Sequence, residues 1–251
     1  MQNSGWHIVS KLALIALLMA SVSCEKEAAN CLEGRGEQQT EVRDVASFTH
    51  LYVEGRINVR MIPDTVDYCV VTYGENGTGG ILTEMEGETL IITEINACDW
   101  IREIDPLPDV EVHYSSMNSI FSQIAAALTF EEAYRGDSIR IEIQDAAGSL
   151  HANLQCEHVD LVVHTGATDV TLEGTCATSY IYNSGYGPVH AENLVSRFST
   201  VHNNSTGDTY VRAWERVFIQ IYQRGDIYVS GNPEIEFWNT SGEGQVFRND
   251  P

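Results

Sequence analysis

Apolar and polar positions alternate with a period of two along most of this chain, and in the C-terminal half the alternation itself recurs about every twenty residues. The segments Leu150-His151-Ala152, Val170-Thr171-Leu172, Val189-His190-Ala191, Val211-Arg212-Ala213 and Ile227-Tyr228-Val229 each follow a turn rich in Gly, Asp or Asn. A second alternating run follows in each repeat: Val159-Asp160-Leu161, Ser179-Tyr180-Ile181, Phe198-Ser199-Thr200, Val217-Phe218-Ile219 and Ile235-Glu236-Phe237. Alternation marks strands with one buried face, and a long fixed period marks a solenoid whose repeats bury that face only against each other. Two strands per turn predict an all-β parallel β-helix with rungs of about twenty residues over 137–251. Its last rung needs a cap, because an open parallel edge invites pairing with another chain.

Upstream, residues 44–114 read as short strands separated by glycine turns: Leu51-Tyr52-Val53, Ile57-Asn58-Val59, Cys69-Val70-Val71, Leu90-Ile91-Ile92 and Val110-Glu111-Val112. No βαβ alternation and no dinucleotide fingerprint accompany them. Residues 115–136 break the rhythm. Met117, Ile120, Phe121, Ile124 and Leu128 recur at helical spacing behind Ser115 and Ser116, which predicts a short amphipathic helical insertion.

The N-terminus changes the picture from fold to compartment. Lys11 precedes the apolar run from Leu12 to Ala20, too short to span a bilayer, and Ser21, Val22 and Ser23 lead into Cys24. This pattern predicts a signal peptide over 1–23 and lipid attachment at Cys24, although Ser21 stands where a lipobox usually has Leu. Residues 24–43 are polar and acidic and read as a flexible tether. Acidic residues directly after the lipidated cysteine point to an outer-membrane lipoprotein of a Gram-negative bacterium, facing the cell surface or the periplasm.

Charge narrows the partners. There are 14 Lys and Arg against 36 Asp and Glu, a net charge of −22, and the only lysines are Lys11 and Lys26. A surface this acidic repels nucleic acid, and contact with membrane is expected through the lipid anchor alone.

Candidate chemistry is sparse. Cys69 and Cys98 fall in strand-like runs and could form a disulfide, while Cys156 and Cys176 lie one repeat apart and stack as free thiols or as a bridge. Asp169, Asp208 and Asp226 recur in the turns, but without the spacing of a calcium-binding repeat; Gly and Asp there are explained by turn geometry. Arg224-Gly225-Asp226 falls in the same kind of turn. His151, His164, His190 and His202 lack metal-ligand spacing and read as strand residues facing solvent. Asp64-Thr65-Val66 and Asp137-Ser138-Ile139 fit a bacterial O-glycosylation sequon. No catalytic residue, metal or cofactor is predicted.

Two stretches carry a family resemblance. Phe48-x-x-Leu51-x-Val53-x-Gly55-Arg56-Ile57-Asn58-Val59, followed by Gly87-x-x-Leu90-Ile91-Ile92, resembles the family named putative auto-transporter adhesin, head GIN domain. Gly225-Asp226-Ile227-Tyr228-Val229-Ser230-Gly231-Asn232-Pro233 with Ser241-Gly242-Glu243-Gly244 is similar to its closing signature. The resemblance implies a right-handed β-helix on exported bacterial proteins and brings no catalytic residues; the helical reading of 115–136 departs from it.

Two function classes follow. One is a non-catalytic envelope module that binds a glycan, matrix or envelope protein through exposed aromatics: Tyr180, Tyr182, Tyr186, Tyr222, Tyr228 and Trp238. The other is a polysaccharide lyase or glycoside hydrolase on a β-helix, which needs a grouped set of Asp, Glu and Arg in one groove. The arginines look scattered in sequence, which favours the binding module. The sequence says nothing about oligomeric state.

Overall fold

Every second side chain of these runs points inward, and the computed structural model, which describes residues 34–95 and 106–249, stacks those inward positions from rung to rung. In chain order the first strands are β1 (Gln38–Asp44), β2 (His50–Gly55), β3 (Asn58–Pro63), β4 (Tyr68–Gly74), β5 (Ile81–Glu86) and β6 (Thr89–Glu94). Next come β7 (Asp109–Tyr114), β8 (Ser119–Ile124), β9 (Ala127–Phe130), β10 (Tyr134–Arg135) and β11 (Ser138–Ile143). Four long strands follow: β12 (Ser149–Val163), β13 (Asp169–Asn183), β14 (Val189–Asn203) and β15 (Thr209–Ile221). The chain closes with β16 (Ile227–Ser230), β17 (Glu234–Thr240) and β18 (Val246–Arg248).

The strands make two walls. The first runs β1, β4, β7, β3, β9, the N-terminal halves of β12 to β15, β16 and β18. The second runs β5, β6, β2, β8, β11, the C-terminal halves of β12 to β15, and β17. Each long strand bends from one wall to the other; in β12 the inward alternation breaks between Gln155 and His158. Pairing is parallel except at the N-terminal end, where β1–β4, β4–β7 and β5–β6 are antiparallel.

One inward column shows what holds the walls together. It passes from Leu90 through Leu51, Ile120, Ile141, Leu161, Ile181, Val201 and Ile219 to Phe237, each in register with the next. Burying each such side chain contributes roughly 1.5–3 kcal/mol. The N-terminal strands thus share one continuous core with the regular rungs.

Several expectations need correction. Residues 115–136 form β8, β9 and β10, with no helix. The spacing of four between Ile120, Ile124 and Leu128 satisfies a strand as well as a helix, and Ser122, buried inward between Ile120 and Ile124, disguised the alternation. Ser115 does not cap a helix; its backbone N–H donates to Asp67 Oδ1 at 2.6 Å. The stretch therefore follows the strand pattern that the family resemblance implies.

Two repeats were also mis-phased. Val189 pairs with Thr209, not with Val211, and Ser199 pairs with Val217, so Ser199-Thr200-Val201 replaces Phe198-Ser199-Thr200. In both rungs a small polar residue takes an inward position. Thr209 is fully buried, and Ser179 Oγ donates to Ser199 Oγ inside the solenoid at 2.9 Å. Residues 38–43 leave the tether reading as well: they form β1, a polar edge strand on β4, tied by Gln39 Nε2 donating to Thr78 Oγ1 at 3.2 Å. The signal segment, Cys24, Cys31 and Cys98 lie outside the described residues.

Cys156 and Cys176 pair in register on adjacent rungs as free thiols, pushed up to about 11 and about 12 by burial. Cys69 is a free, buried thiol at about 12, again through burial.

Turns close on buried amides. Asn183 and Asn203 occupy the same inward position on successive rungs. Asn183 Nδ2 donates to Gly187 O at 3.2 Å and its Oδ1 accepts from Gly185 N at 3.1 Å. Asn203 Nδ2 donates to Gly207 O and Gly225 O at 3.3 and 3.0 Å. Rung stacking at these turns leaves no room for a side chain: a Cβ on Gly187 would overlap the Thr168 carbonyl. Gly187→Ala is therefore expected to destabilise the protein by about 2 kcal/mol or more in urea unfolding. Gly79→Ala, whose Cβ would meet nothing within 4 Å, should stay within about 0.5 kcal/mol.

Candidate binding surface

Parallel register aligns outward side chains as strictly as inward ones, so residues one rung apart form columns on each wall. On the first wall the column Thr171, His190, Tyr210, Tyr228 and Phe247 ends in a ring stack. Centroid separations are 4.9 Å for His190–Tyr210, 4.6 Å for Tyr210–Tyr228 and 5.2 Å for Tyr228–Phe247, with interplanar angles of 14°, 9° and 21°. These rings cover each other's faces and offer mainly edges. Desolvation, with Asp208 and Asp226 nearby, raises the Tyr210 and Tyr228 hydroxyls above their ordinary value.

The second wall is different. Tyr180 and Tyr182 stand outward on β13, His202 on β14, Phe218 on β15 and Trp238 on β17. Their contacts are tilted or edge-on: Tyr180–His202 at 5.2 Å and 66°, His202–Trp238 at 6.4 Å and 72°, Phe218–Trp238 at 4.8 Å and 38°. Trp238 is 55 % exposed, while Tyr180, Tyr182, His202 and Phe218 are half-buried. Charged pairs rim the cluster. Arg216 bonds Glu234 and Glu236 at 3.1 Å each and lies over the Phe218 ring. His164 Nε2 meets Glu142 Oε1 at 2.7 Å. Burial would raise the Glu142 carboxyl, but hydrogen bonds from His164 and Arg140 hold it below its ordinary value.

The six predicted aromatics thus separate. Tyr180, Tyr182 and Trp238 come together on the second wall, while Tyr228 belongs to the stack on the first. Tyr186 projects from a turn at 70 % exposure, and Tyr222 lies just past β15 with its hydroxyl donating to Gln220 Oε1 at 2.9 Å. Sequence reading missed His202 and Phe218 as members of the cluster; their place at the outward offset of Tyr182 and Tyr180 was the available signal.

The arginines are less scattered in space than in sequence. Arg60 on β3 bonds Asp109 at 2.8 Å and Glu111 at 2.6 Å on β7, and His113 bridges Glu111 and Asp64 at 3.3 and 3.1 Å while stacking on Tyr68. The Thr65 backbone N–H and then His113 hold the Asp64 carboxyl below its ordinary value. Each carboxylate of this network already has a cation or donor. Asp208 and Asp226 act on backbone: Asp208 Oδ1 accepts from Asp226 N at 2.9 Å, and Asp226 Oδ1 from Gln245 N at 2.7 Å. Arg224 pairs with Glu243 at 3.0 Å. Among the described residues no group of three or more His, Cys, Asp or Glu is arranged to hold a metal ion. No helix among them is long and apolar enough to cross a membrane. Thr65 and Ser138, the sequon residues, border one open polar hollow of about 1070 Å³.

A β-solenoid with two outward ring clusters belongs to the class of repeat proteins that present long side-chain surfaces. Residues 47–233 match the model of the family putative auto-transporter adhesin, head GIN domain, and the chain belongs to that family. The fold is shared with a putative adhesin from Bacteroides fragilis at TM-score 0.80 and 18 % identity, covering 86 % of this chain and all of that one. A putative lipid binding protein from Parabacteroides distasonis aligns at TM-score 0.61 and 16 % identity over 85 % of this chain and 97 % of that one. A putative adhesin from the same species aligns at 0.60 and 18 % over 85 % and 98 %. No curated protein matches the sequence.

His202 gives the cluster a built-in reporter. Burial holds its imidazole below the ordinary 6.5, and Nε2 is buried without a partner. A depressed histidine contributes stability that is present above pH 6.5 and lost as pH falls through its folded value. Trp238 fluorescence is therefore expected to change in a single step below pH 6.5, and His202→Gln should abolish that step.

Proposed function

We propose that this protein is a non-catalytic adhesin-type binding module of the bacterial cell envelope, and that the second wall around Tyr180, Tyr182, His202, Phe218 and Trp238 is where it holds a glycan. The observation that carries this reading is the gathering of these outward, unstacked rings on one wall around the exposed Trp238. A sugar presents flat C–H faces edged by hydroxyls; the exposed Trp238 ring with the half-buried Tyr180 and Tyr182 suits the faces, while the rim at Arg216, Glu234 and Glu236 suits the hydroxyls. A protein ligand from the matrix or the envelope would use the same rings with different rim contacts. The charge of −22 argues against nucleic acid as the partner.

The compartment in this reading follows the N-terminus. Residues 1–23 direct export, Cys24 carries the lipid, and the residues before β1 link the anchor to the solenoid. The adhesin character of the family fits a protein exported in this way.

The enzyme alternative has one feature to consider, the Arg60 network. Arg60, Asp109 and Glu111 stand on outward columns of β3 and β7, and both carboxylates are spent on the same guanidinium. General acid and base work needs two carboxyl groups facing a shared substrate space. The network reads better as an ion-pair clasp between two strands.

Two experiments test the proposal. In a glycan screen with the purified protein, Trp238→Ala and Tyr180→Ala should each weaken binding about tenfold, about 1.4 kcal/mol. Loss on Tyr228→Ala with Trp238→Ala unaffected would move the site to the first wall, and no glycan binding by the unaltered protein would sink the glycan assignment. Cys24→Ser should shift the protein from the membrane to the soluble fraction of the native host. Retention in the membrane would remove the lipid anchor from the reading.

A further inference from the structure

The two ends of the solenoid differ. At the N-terminal end the inward residues are sealed: Cys69 and Leu90 are 0 % exposed and Ile81 is 1 % exposed. The strands that flank them, β1 and β5, run antiparallel to their neighbours and carry Glu41, Arg43, Asp44, Glu84 and Glu86. Charged edge strands of this kind discourage further pairing.

At the C-terminal end the same inward column runs out into solvent. Phe237 is in register with Ile219, which is 0 % exposed, yet Phe237 itself is 58 % exposed. Among the described residues β17 pairs only with β15 and β18 only with β16, so each leaves one edge of backbone N–H and C=O groups unpaired. Phe247 on β18 is also exposed, at the free end of the ring stack. The cap that the sequence called for is not supplied by the described chain.

We propose that this end is an interface, and that it closes on the same end of a second copy of the chain. The charges on β17 select the register. In an antiparallel self-pairing, a two-fold axis passes through one residue, and opposed residues share a side. An axis at Glu236 sets that glutamate against itself, and an axis at Ile235 sets Glu234 against Glu236; like charges directly opposite are destabilising. An axis at Phe237, with the register shift at Trp238, sets Glu236 against Trp238 and Asn239 and Ile235 against Thr240, so no like charges are opposed. It also brings the two Phe237 side chains together, so the inward column continues from one copy into the other. Arg216 already bonds both glutamates, so little of the large negative charge bears on this edge.

Because only one end exposes inward apolar residues, the assembly stops at two copies and does not extend into a fibre. The chain enters the solenoid at the sealed end, through β1, so the copies meet tip to tip with their N-terminal residues farthest apart. This inference stands on the end geometry and does not depend on the glycan reading.

The test is sedimentation equilibrium of the purified protein from about 1 to about 100 µM, with hydrogen exchange on the same samples. The expected result is a reversible rise from one to two copies, with β17 and β18 amides gaining at least tenfold protection in the dimer and β5 amides unchanged. Phe237→Glu, at a position already open to solvent, should lower association at least tenfold while leaving the circular dichroism spectrum as it was. Val42→Glu, at the opposite end, should leave association unchanged. A single copy at every concentration, a dimer untouched by Phe237→Glu, or mass that keeps growing past two copies would each overturn the proposal.

Discussion

The structure depends on one constraint: a small number of inward columns must stay in register through every rung. Each rung contributes one residue per column, so the core has no alternative packing partner than the rung above and the rung below. Register is fixed twice over, by the parallel backbone ladder and by the identity of the inward residue. A slip of one residue would turn every apolar side chain of a rung into solvent. The tolerance shown by the rungs, which bring Leu150, Val170, Val189, Thr209, Ile227 and Val246 into line despite unequal lengths, is taken up elsewhere. It appears as register shifts at Glu192 to Leu194 and near Trp238.

The outward surface is a by-product of that constraint, and the two walls use it differently. Neighbouring strands lie about 4.8 Å apart, close to the spacing of stacked rings. When His190, Tyr210, Tyr228 and Phe247 fall in a single column they stack and saturate one another. On the second wall Tyr180, His202 and Trp238 fall in different columns, so their contacts are diagonal and edge-on and the rings do not stack. A column of identical chemistry stabilises the wall; a staggered set leaves something to bind with. That difference of stagger separates Tyr228 from Trp238, although both are outward aromatics on the same rung.

How much of this could be read from sequence depends on whether the signal was local. The alternation around Leu150 to Ala152 or Ile227 to Val229 carries its own strand assignment, and the solenoid follows from the repeat. Ambiguity entered wherever a polar residue took an inward place. Ser122 made β8 resemble a helix, and Thr209 and Ser199 shifted two repeats out of phase, because a hydroxyl that finds a partner or fits a small inward space leaves no apolar mark. The binding cluster was half legible: Tyr180, Tyr182 and Trp238 stood out by residue type, but their grouping with His202 and Phe218 required the true phase. The Arg60 network was not legible at all. Its partners lie 49 and 51 residues away in sequence, and only the β3–β7 register brings them together.

The same network bears on how so acidic a chain folds. Arg60 is shared by Asp109 and Glu111, and Arg216 by Glu234 and Glu236, so a few guanidiniums each hold two carboxylates across neighbouring positions. An exposed pair contributes only about 0–1 kcal/mol, too little to hold the fold. Its value is spatial. A planar guanidinium with several donors can relieve repulsion between carboxylates two residues apart on one strand, where a lysine could meet only one of them well. Arginine in place of lysine throughout the folded region follows from that requirement. The rest of the surplus charge faces solvent along the walls, where it disfavours lateral association of solenoids. Lateral contact is thereby discouraged, and the ends become the places where a second chain can approach; of these, only the end at Phe237 has apolar surface left to cover.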